Sequence, residues 1–412
     1  MNLMSVKRGQ EEKMKQENEN LVVTGFTANG IHAGIKEDGR KDLSLIFSDR
    51  PANAAGVFTT NAFKAAPVII DIERLKTGEA QAILANSGNA NAATGAEGLR
   101  DARAMAKSAA IALEISDKQV LVASTGIIGK RLPIGKINKR IPSLARGLNP
   151  SGFRDAQEGI MTTDQFPKIE YRKRVISGKE VSICGIAKGA GMIEPGMATM
   201  LSFVMTDAEV DSETLKRCLV RGVDESFNAI SVDGCMSTND TVIILANGRA
   251  GNKSLTGRSR ERSAFQEILS EILRELALSI VRDGEGATKV IGIRVEEART
   301  REEAKKVAFS IARSNLVKTA FFGQDPNWGR IISAIGASGV ALSVGDVSLY
   351  FDQIPLFNQG RGVKGNESKL SEVMKKEYIQ VIVKLGTGKG FFSAYASDLT
   401  YDYVRINAHY HT

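Results

Sequence analysis

The sequence has 412 residues, of which 42% are hydrophobic and 40 are glycine, and its formal net charge is +8. This length predicts two lobes or one large α/β unit, and no apolar run reaches the ~20 residues that a membrane-spanning helix needs. The basic residues are scattered except around Lys130–Arg140, where no aromatic residues interleave. A solvated face or a path for anionic substrates is therefore favoured over nucleic-acid binding.

The cysteine and histidine residues argue against a metal centre. The chain has three cysteines, at 184, 218 and 235, and three histidines, at 32, 409 and 411. None forms a C-x-x-C pair or a Cys/His cluster, so we expect no metal and a reduced, cytoplasmic protein. Residues 1–20 are polar and lack the apolar core of a secretory signal, which predicts a frayed extension or a short exposed helix.

Hydrophobic periodicity predicts alternating strands and helices along most of the chain. The predicted strands are 44–48, 55–59, 82–85, 119–123, 197–205, 241–246, 290–295 and 379–385, and the predicted helices are 99–113, 212–228, 265–280, 300–314 and 368–376. Ser212 is expected to cap its helix, and Thr300 with Glu303 forms a capping-box pattern. The segment 323–330 contains a proline and is expected to be irregular, while 386–390 lacks the spacing of a phosphate-binding loop and is interpreted as a turn.

Polar, glycine-rich loops are the candidate functional segments. They are 86–95, 124–130, 162–164, 188–196 and 231–240. The backbone amides after strand 119–123 could bind an oxyanion, with Gly126 allowing close approach, although a plain strand-to-loop turn is favoured from sequence alone. The loop 86–95 is equally compatible with a ligand site and with an Asn/Gly turn, and Thr162 and Asp164 belong to residue types that more commonly cap helices and turns.

Thr199 stands where the loop 188–196 passes into the buried strand 197–205. A threonine in such a run is ordinarily a strand residue, because its β-branched side chain suits strands. The chain has no evident Ser/His/Asp arrangement, and a threonine hydroxyl is a poor nucleophile unless a base takes its proton. If Thr199 were the first residue of a chain, its own α-amine, titrating near pH ~8, could be that base. Periodicity cannot show the cleavage that this requires.

Taken together, the loops resemble the glutamate N-acetyltransferase/ornithine acetyltransferase family of arginine biosynthesis. The resemblance is carried by Lys188–Met200, by Arg40–Leu43 with Ala54–Asn61, and by Asn86–Asn91, Ser124–Gly129, Thr162–Asp164, Ser237–Asp240, Gly284–Lys289, Asp325–Arg330 and Asp398–Tyr403. These motifs follow the family order and extend from about residue 22 to the end of the chain.

The resemblance implies self-cleavage between Ala198 and Thr199, giving an α chain, 21–198 behind the polar extension 1–20, and a β chain, 199–412. Thr199 would accept the acetyl group of N2-acetyl-L-ornithine and pass it to L-glutamate, releasing L-ornithine and N-acetyl-L-glutamate. Use of acetyl-CoA as a further donor is left open. Thr125 and Gly126 match the family's oxyanion hole, and the family's substrate contacts match Thr162, Lys188, Thr199, Glu285, Asn407 and Thr412.

The fold implied by the resemblance is α/β, a layered sheet sandwich covered by helices as in the N-terminal-nucleophile aminopeptidases of the same superfamily, with a smaller α/β lobe. The family further implies a heterotetramer of two α and two β chains, no cofactor, and no nucleic-acid or membrane partner. Two other functions remain open. One is an aminopeptidase or amidohydrolase that uses Thr199 with water as the acceptor, and the other is a non-catalytic amino-acid-binding protein.

Four places depart from the family pattern. Gly196 stands where Asn is common before Met-Ala-Thr, and the greater backbone freedom there is expected to slow or misalign self-cleavage. Cys235–Met236 replace an Asp-Thr pair, Gln165 replaces a common Thr, and His409–His411 replace an acidic residue, Tyr and Arg. The change in the tail bears on substrate geometry and selectivity.

Overall fold

The computed structural model describes residues 21–194, 200–257 and 259–409. Its strands are β1 (Phe26–Ile31), β2 (Leu43–Phe58), β3 (Glu79–Asn89), β4 (Val120–Ile127), β5 (Lys168–Ile176), β6 (Lys179–Lys188), β7 (Leu201–Thr206), β8 (Ile230–Ser231), β9 (Thr241–Ala246), β10 (Val290–Ala298), β11 (Ser348–Phe351), β12 (Ile354–Asn358), β13 (Arg361–Gly362), β14 (Tyr378–Lys384) and β15 (Gly390–Ser397). Its helices are α1 (Ala66–Arg74), α2 (Gly95–Leu113), α3 (Ile134–Arg146), α4 (Phe153–Ile160), α5 (Ser212–Asp224), α6 (Arg260–Arg282), α7 (Arg301–Ala312), α8 (Asn315–Phe322), α9 (Trp328–Gly336), α10 (Glu367–Met374) and α11 (Tyr401–His409). The extension 1–20, Gly196, the cleavage pair Ala198–Thr199 and Thr412 lie outside the described residues.

These strands form two mixed sheets. The first has the order β4–β3–β2–β9–β7–β6–β5, with β1 also paired to β2, and its parallel pairs are β3–β4 and β7–β9. The second has the order β13–β12–β11–β14–β10–β15–β8, with β10–β14 and β15–β8 parallel. The predicted α/β class, with layered sheets covered by helices and a smaller α/β lobe, is confirmed.

Side chains that alternate along the strands build a core on each face of the first sheet. Ile83 of β3 packs on one face in a cluster with Phe203 of β7 and Phe153 of α4. The next residue, Leu84, packs on the other face with Met105 of α2. Helices α5 and α6 cover the part of that sheet formed by β5, β6, β7 and β9, and α7 to α10 cover the second sheet.

The structure corrects the predicted cap and the predicted end of α5. Asp211, and not Ser212, is its N-cap residue, because the Asp211 carboxylate accepts a hydrogen bond from the Thr214 amide at 2.9 Å. The helix ends at Asp224, and a short 3-10 turn, Phe227–Ala229, follows it. The predicted helix 212–228 therefore combines an α-helix with the separate 3-10 turn that follows it.

The other caps agree better with the sequence. The Thr300 hydroxyl accepts a hydrogen bond from the Glu303 amide at 3.2 Å, which confirms Thr300 as the N-cap of α7. The Glu303 carboxylate accepts from Arg299. The segment 323–330 is irregular only up to Asn327, whose side chain caps α9. Helices α1, α3, α4, α8, α9 and α11 have no counterpart among the predictions, since most are too short to repeat a helical pattern clearly. None of the described helices is both long and apolar enough to span a membrane.

The long strand β2 explains how distant loops meet. It pairs with β3 mainly through its first half and with β9 through its second half, and a register shift between Phe47 and Ala52 interrupts the ladder. Such irregularities bend a strand and increase its twist. The ends of β3 and β4 consequently approach the loop that precedes β9, and these segments border one cavity together with the end of β6.

Candidate active site

One cavity gathers polar residues from segments that are far apart in sequence. Its lining consists of Ala90, Thr125, Gly126, Ile128, Thr162, Thr163, Lys188, Gly191, Met192, Ser237, Asn239, Glu285 and Asn407. Every predicted site residue that the structure describes is in this lining. Thr199 and Thr412 lie outside the described residues, so their predicted roles stay predictions.

Thr125 and Gly126 form the wall of the cavity at the end of β4. Gly126 lies opposite Gly88 in the β3–β4 ladder, and its φ of 131° is in the region that favours glycine. A Cβ atom at this position would lie 2.4 Å from the Gly88 carbonyl carbon and 2.6 Å from the Asn89 nitrogen. Only glycine therefore lets the chain pass this close to β3 beside the 3% exposed Thr125.

Lys188 places a buried cation at the cavity. It is the last residue of β6 and is only 3% exposed. Burial lowers the pKa of its ammonium group, and the negative charges of Asp164, Glu285 and Asp240 partly offset that effect. Among the described residues, none accepts a hydrogen bond or forms an ion pair with Lys188 Nζ. A buried ammonium in this situation favours the binding of an anion such as a carboxylate.

A second buried lysine, Lys168, is fully paired. Its ammonium contacts Asp164 at 2.8 Å and Asp283 at 2.5 Å, and all three side chains are at most 1% exposed. Burial alone would raise the pKa of Asp164, but Lys188 and Lys168 hold that pKa well below its ordinary value. Burial raises the pKa of Asp283, although Lys168 opposes the shift.

Asp164 also connects two walls of the cavity. Its carboxylate accepts hydrogen bonds from the amides of Thr162 at 2.9 Å and Gly189 at 2.7 Å. Asp164 therefore caps its own loop through Thr162 and also links the 162–164 loop to the residue after Lys188. The Gln165 backbone amide donates hydrogen bonds to the Asp283 carboxylate. Its side chain is exposed, so this departure from the family pattern leaves the contacts of Asp164, Lys168 and Asp283 intact.

Glu285 and Asn407 form another part of the cavity wall. Asn407 Nδ2 donates a hydrogen bond to Glu285 Oε2 at 2.8 Å, and the Glu285 amide donates to the Ala190 carbonyl at 2.9 Å. A Cβ atom at Gly191 would lie 2.5 Å from the Glu285 carboxyl carbon, so the end of the Glu285 side chain packs directly against this glycine. The helix α11 therefore brings the C-terminal region to the cavity, as the sequence predicts for Asn407.

The loop before β9 contributes more than the sequence indicates. Asp240 accepts a hydrogen bond from the Met200 amide at 3.1 Å, and burial raises its pKa well above the ordinary value. Asp233 accepts from the amides of Met192 at 2.6 Å and Ile193 at 3.0 Å. The only sequence signal for these contacts is a dense polar loop ahead of an apolar strand. In the part of the chain that the structure describes, no group of three His, Cys, Asp or Glu side chains could hold a metal ion.

Comparison with known proteins identifies the family of this chain. A family model described as the ArgJ family matches residues 27–412. The chain belongs to the ArgJ family. The arginine biosynthesis bifunctional protein ArgJ of Geobacter sulfurreducens is 49% identical over 95% of this chain and 100% of its own length. The protein of the same name from Caldanaerobacter subterraneus is 48% identical over 94% of this chain and 97% of its own.

A solved ArgJ structure is also similar to part of the chain. The crystal structure of arginine biosynthesis bifunctional protein ArgJ from Bacillus halodurans has a TM-score of 0.50 and 42% sequence identity. The match covers 52% of this chain and 100% of that chain. The predicted family is therefore confirmed, and with it the assignment of the chain as an enzyme of arginine biosynthesis.

Proposed function

We propose that this chain is a self-processing glutamate N-acetyltransferase/ornithine acetyltransferase. It transfers the acetyl group of N2-acetyl-L-ornithine to L-glutamate by a ping-pong mechanism through Thr199. Membership of the ArgJ family supports the proposal. The observation that carries it is the meeting, in one cavity, of the described residues that the resemblance assigns to catalysis and substrate binding: Thr125, Gly126, Thr162, Lys188, Glu285 and Asn407.

In the first half-reaction, the Thr199 hydroxyl attacks the acetyl carbonyl while the free α-amine of the same residue takes the hydroxyl proton. The carbonyl oxygen becomes negatively charged, and Thr125 and Gly126 stabilise that charge. The C–N bond to ornithine then breaks, the nitrogen receives the proton, and an acetyl ester remains on Thr199. In the second half-reaction, the amine of glutamate attacks the ester and leaves as N-acetylglutamate, which restores the hydroxyl.

The charges of the cavity match both substrates. N-acetylornithine and glutamate each carry an α-carboxylate, for which the buried ammonium of Lys188 is a suitable partner. Ornithine also carries a side-chain ammonium, and Glu285, held by Asn407, is the carboxylate available for it. Thr162 also lines this cavity. One pocket can therefore hold donor and acceptor in turn.

Self-cleavage between Ala198 and Thr199 is the step that would create the α-amine. The residues on both sides are anchored: Asp233 holds the amides of Met192 and Ile193, and Asp240 holds the amide of Met200. The Bacillus halodurans chain is matched over its whole length by 52% of this chain, about the share that a β chain of 199–412 would have. The proposal includes assembly into a heterotetramer of two α and two β chains in the cytoplasm. It leaves open whether acetyl-CoA is a second acetyl donor.

The test begins with the purified full chain, whose products are identified by intact mass and N-terminal sequencing. We expect a chain that begins at Thr199, and we expect Thr199→Ala to remain uncleaved and inactive. Ser202→Ala is the matched control, because it removes a buried hydroxyl of β7 that has no hydrogen-bond partner among the described residues. It should be cleaved and active. Cleavage or transferase activity in Thr199→Ala would place the nucleophile elsewhere.

The molecule that accepts the acetyl group distinguishes a transferase from an amidohydrolase or a non-catalytic binding protein. Incubation with acetylornithine alone, and then with glutamate, measures whether acetate or N-acetylglutamate is formed. N-acetylglutamate as the main product supports the proposal. Acetate as the only product would indicate an amidohydrolase, and an intact 44.4 kDa chain that binds amino acids without turnover would indicate a binding protein.

A further inference from the structure

Asn239 is a buried side chain of the cavity wall that the proposed mechanism does not use. Asn239 is 5% exposed. Its Nδ2 atom donates hydrogen bonds to two backbone carbonyls, Ala90 O at 2.6 Å and Ser124 O at 2.8 Å. These carbonyls belong to two segments that are distant in sequence, the one after β3 and the one at the end of β4. A single amide therefore joins the two segments.

The orientation of this amide is fixed by its other contacts. The Thr238 hydroxyl donates to Asn239 Oδ1 at 2.6 Å, and the Asn239 backbone amide donates to Ser237 Oγ at 3.1 Å. Both contacts of Nδ2 are with carbonyl oxygens, so the reverse assignment of nitrogen and oxygen would place the amide oxygen against two other acceptors.

The joined segments enclose the pair Thr125–Gly126. Ser124, immediately before the pair, is held by Asn239, and Ile127, immediately after it, accepts a hydrogen bond at 2.9 Å from the Ala90 amide. Since Asn239 also holds the Ala90 carbonyl, a chain of three hydrogen bonds ties both ends of the pair together. Donors that stabilise a developing charge act only when they are held in place before the reaction.

We propose that Asn239 is a positioning residue that sets the geometry of the oxyanion hole formed by Thr125 and Gly126. The inference rests on the proposed function of this site. It assigns Asn239 no contact with the substrate, so its loss is expected to slow the chemical steps and leave substrate binding nearly unchanged. Loss of one oxyanion donor lowers kcat by ~100–1,000-fold, and displacement of intact donors should cost less, about 10–100-fold.

The experiment compares Asn239→Ala and Asn239→Asp with the wild type in the full chain. The aspartate keeps the size of asparagine but, when ionised, donates no hydrogen bond. We measure kcat and KM for acetylornithine per cleaved chain, and the rate at which Thr199 becomes acetylated, by rapid quench and mass spectrometry. We expect kcat and the acetylation rate to fall by about 10–100-fold in both variants, with KM changed by less than about threefold.

Asn247→Ala and Asn247→Asp are the matched controls, because Asn247 lies at the other end of β9. It is 4% exposed, and its Nδ2 atom donates to the Thr24 carbonyl at 2.9 Å, away from the cavity. The controls should lose thermal stability as the Asn239 variants do, yet keep kcat. The inference is overturned if Asn239→Ala keeps a kcat within about twofold of the wild type, or if both positions lower kcat equally. Absence of acetyl transfer in the wild type would instead overturn the proposed function.

Discussion

Two lysines at one end of the β5–β6 hairpin show opposite uses of a buried charge. Lys168 is the first residue of β5 and Lys188 is the last residue of β6, and Lys168 is paired in register with Ala187. Lys168 contacts two carboxylates within 2.8 Å, whereas Lys188 has no ion-pair partner among the described residues and lines the cavity. The neighbouring positions thus have the same residue type and a similar burial but different surroundings.

The presence or absence of ion-pair partners suggests different roles for the two lysines in stability and in ligand binding. A buried ion pair contributes little net stability, yet removal of one partner leaves an uncompensated charge and is strongly destabilising. The burial of Lys188 is offset only in part by the charges of nearby carboxylates, so a ligand that supplies an opposite charge would stabilise it further. We therefore propose that Lys168 stabilises the fold and that Lys188 binds the substrate, and each role can be tested.

The largest expected effect is that of Lys168→Met on stability. The substitution leaves Asp164 and Asp283 buried without their shared cation, so the free energy of unfolding should fall by ~3–5 kcal/mol. Urea denaturation monitored by circular dichroism measures it. Lys173→Met is the control on the same strand, since its pair with Glu180 is exposed and such pairs contribute at most ~1 kcal/mol. Equal effects at both positions would contradict the structural role of Lys168.

The effect of Lys188→Met should appear mainly in catalysis. Without the ammonium, a substrate carboxylate would be buried with no counter-charge, and kcat/KM for acetylornithine should fall by about 100-fold or more. The free energy of unfolding should fall less than in Lys168→Met, because Lys188 forms no ion pair among the described residues and stabilises the Asp164 carboxylate only through its charge. Lys188→Arg keeps the charge and should recover part of the activity. A loss of stability as large as that of Lys168→Met would remove the distinction between the two residues.

The sequence predicts the surroundings of Lys188 better than those of Lys168. The motif around Lys188 identifies a functional loop, and the apolar run 241–246 predicts β9 with the bounds that the structure has. The network of Lys168 has no such signal, because Lys168 and Asp283 are 115 positions apart and meet only in the folded chain. Periodicity reports local structure and burial, whereas contacts between loops depend on how the sheet bends.

The same limit applies to Asn239 and to the family departures. Asn239 belongs to a recognisable motif, but its hydrogen bonds to Ala90 and Ser124 follow from the bend of β2 and cannot be deduced from residue types. The side chains of Cys235 and Met236 are exposed, so their departure from the family pattern does not alter the buried contacts of this loop.

The smallest expected effect is the pH dependence of the two carboxylates that hold Lys168. The pKa of Asp164 is depressed by Lys188 and Lys168, despite burial, so the ionised form stabilises the fold. That contribution is complete above the ordinary aspartate pKa of ~3.9 and is lost as the pH falls below it. Burial raises the pKa of Asp283, so its contribution has the opposite sign and stability is gained as Asp283 takes up a proton.

We therefore expect Asp164→Asn and Asp283→Asn to change the acid dependence of stability in opposite directions. Between about pH 5 and pH 3, the free energy of unfolding should fall less steeply in Asp164→Asn than in the wild type, and more steeply in Asp283→Asn. The divergence should be on the order of 1 kcal/mol, the scale of a shift of one pKa unit. Urea unfolding at a series of pH values measures both slopes. If the free energy of unfolding depends on pH in the same way in both variants, the opposite pKa shifts of the two carboxylates are wrong. Asp164 and Asp283 would then titrate together as one site.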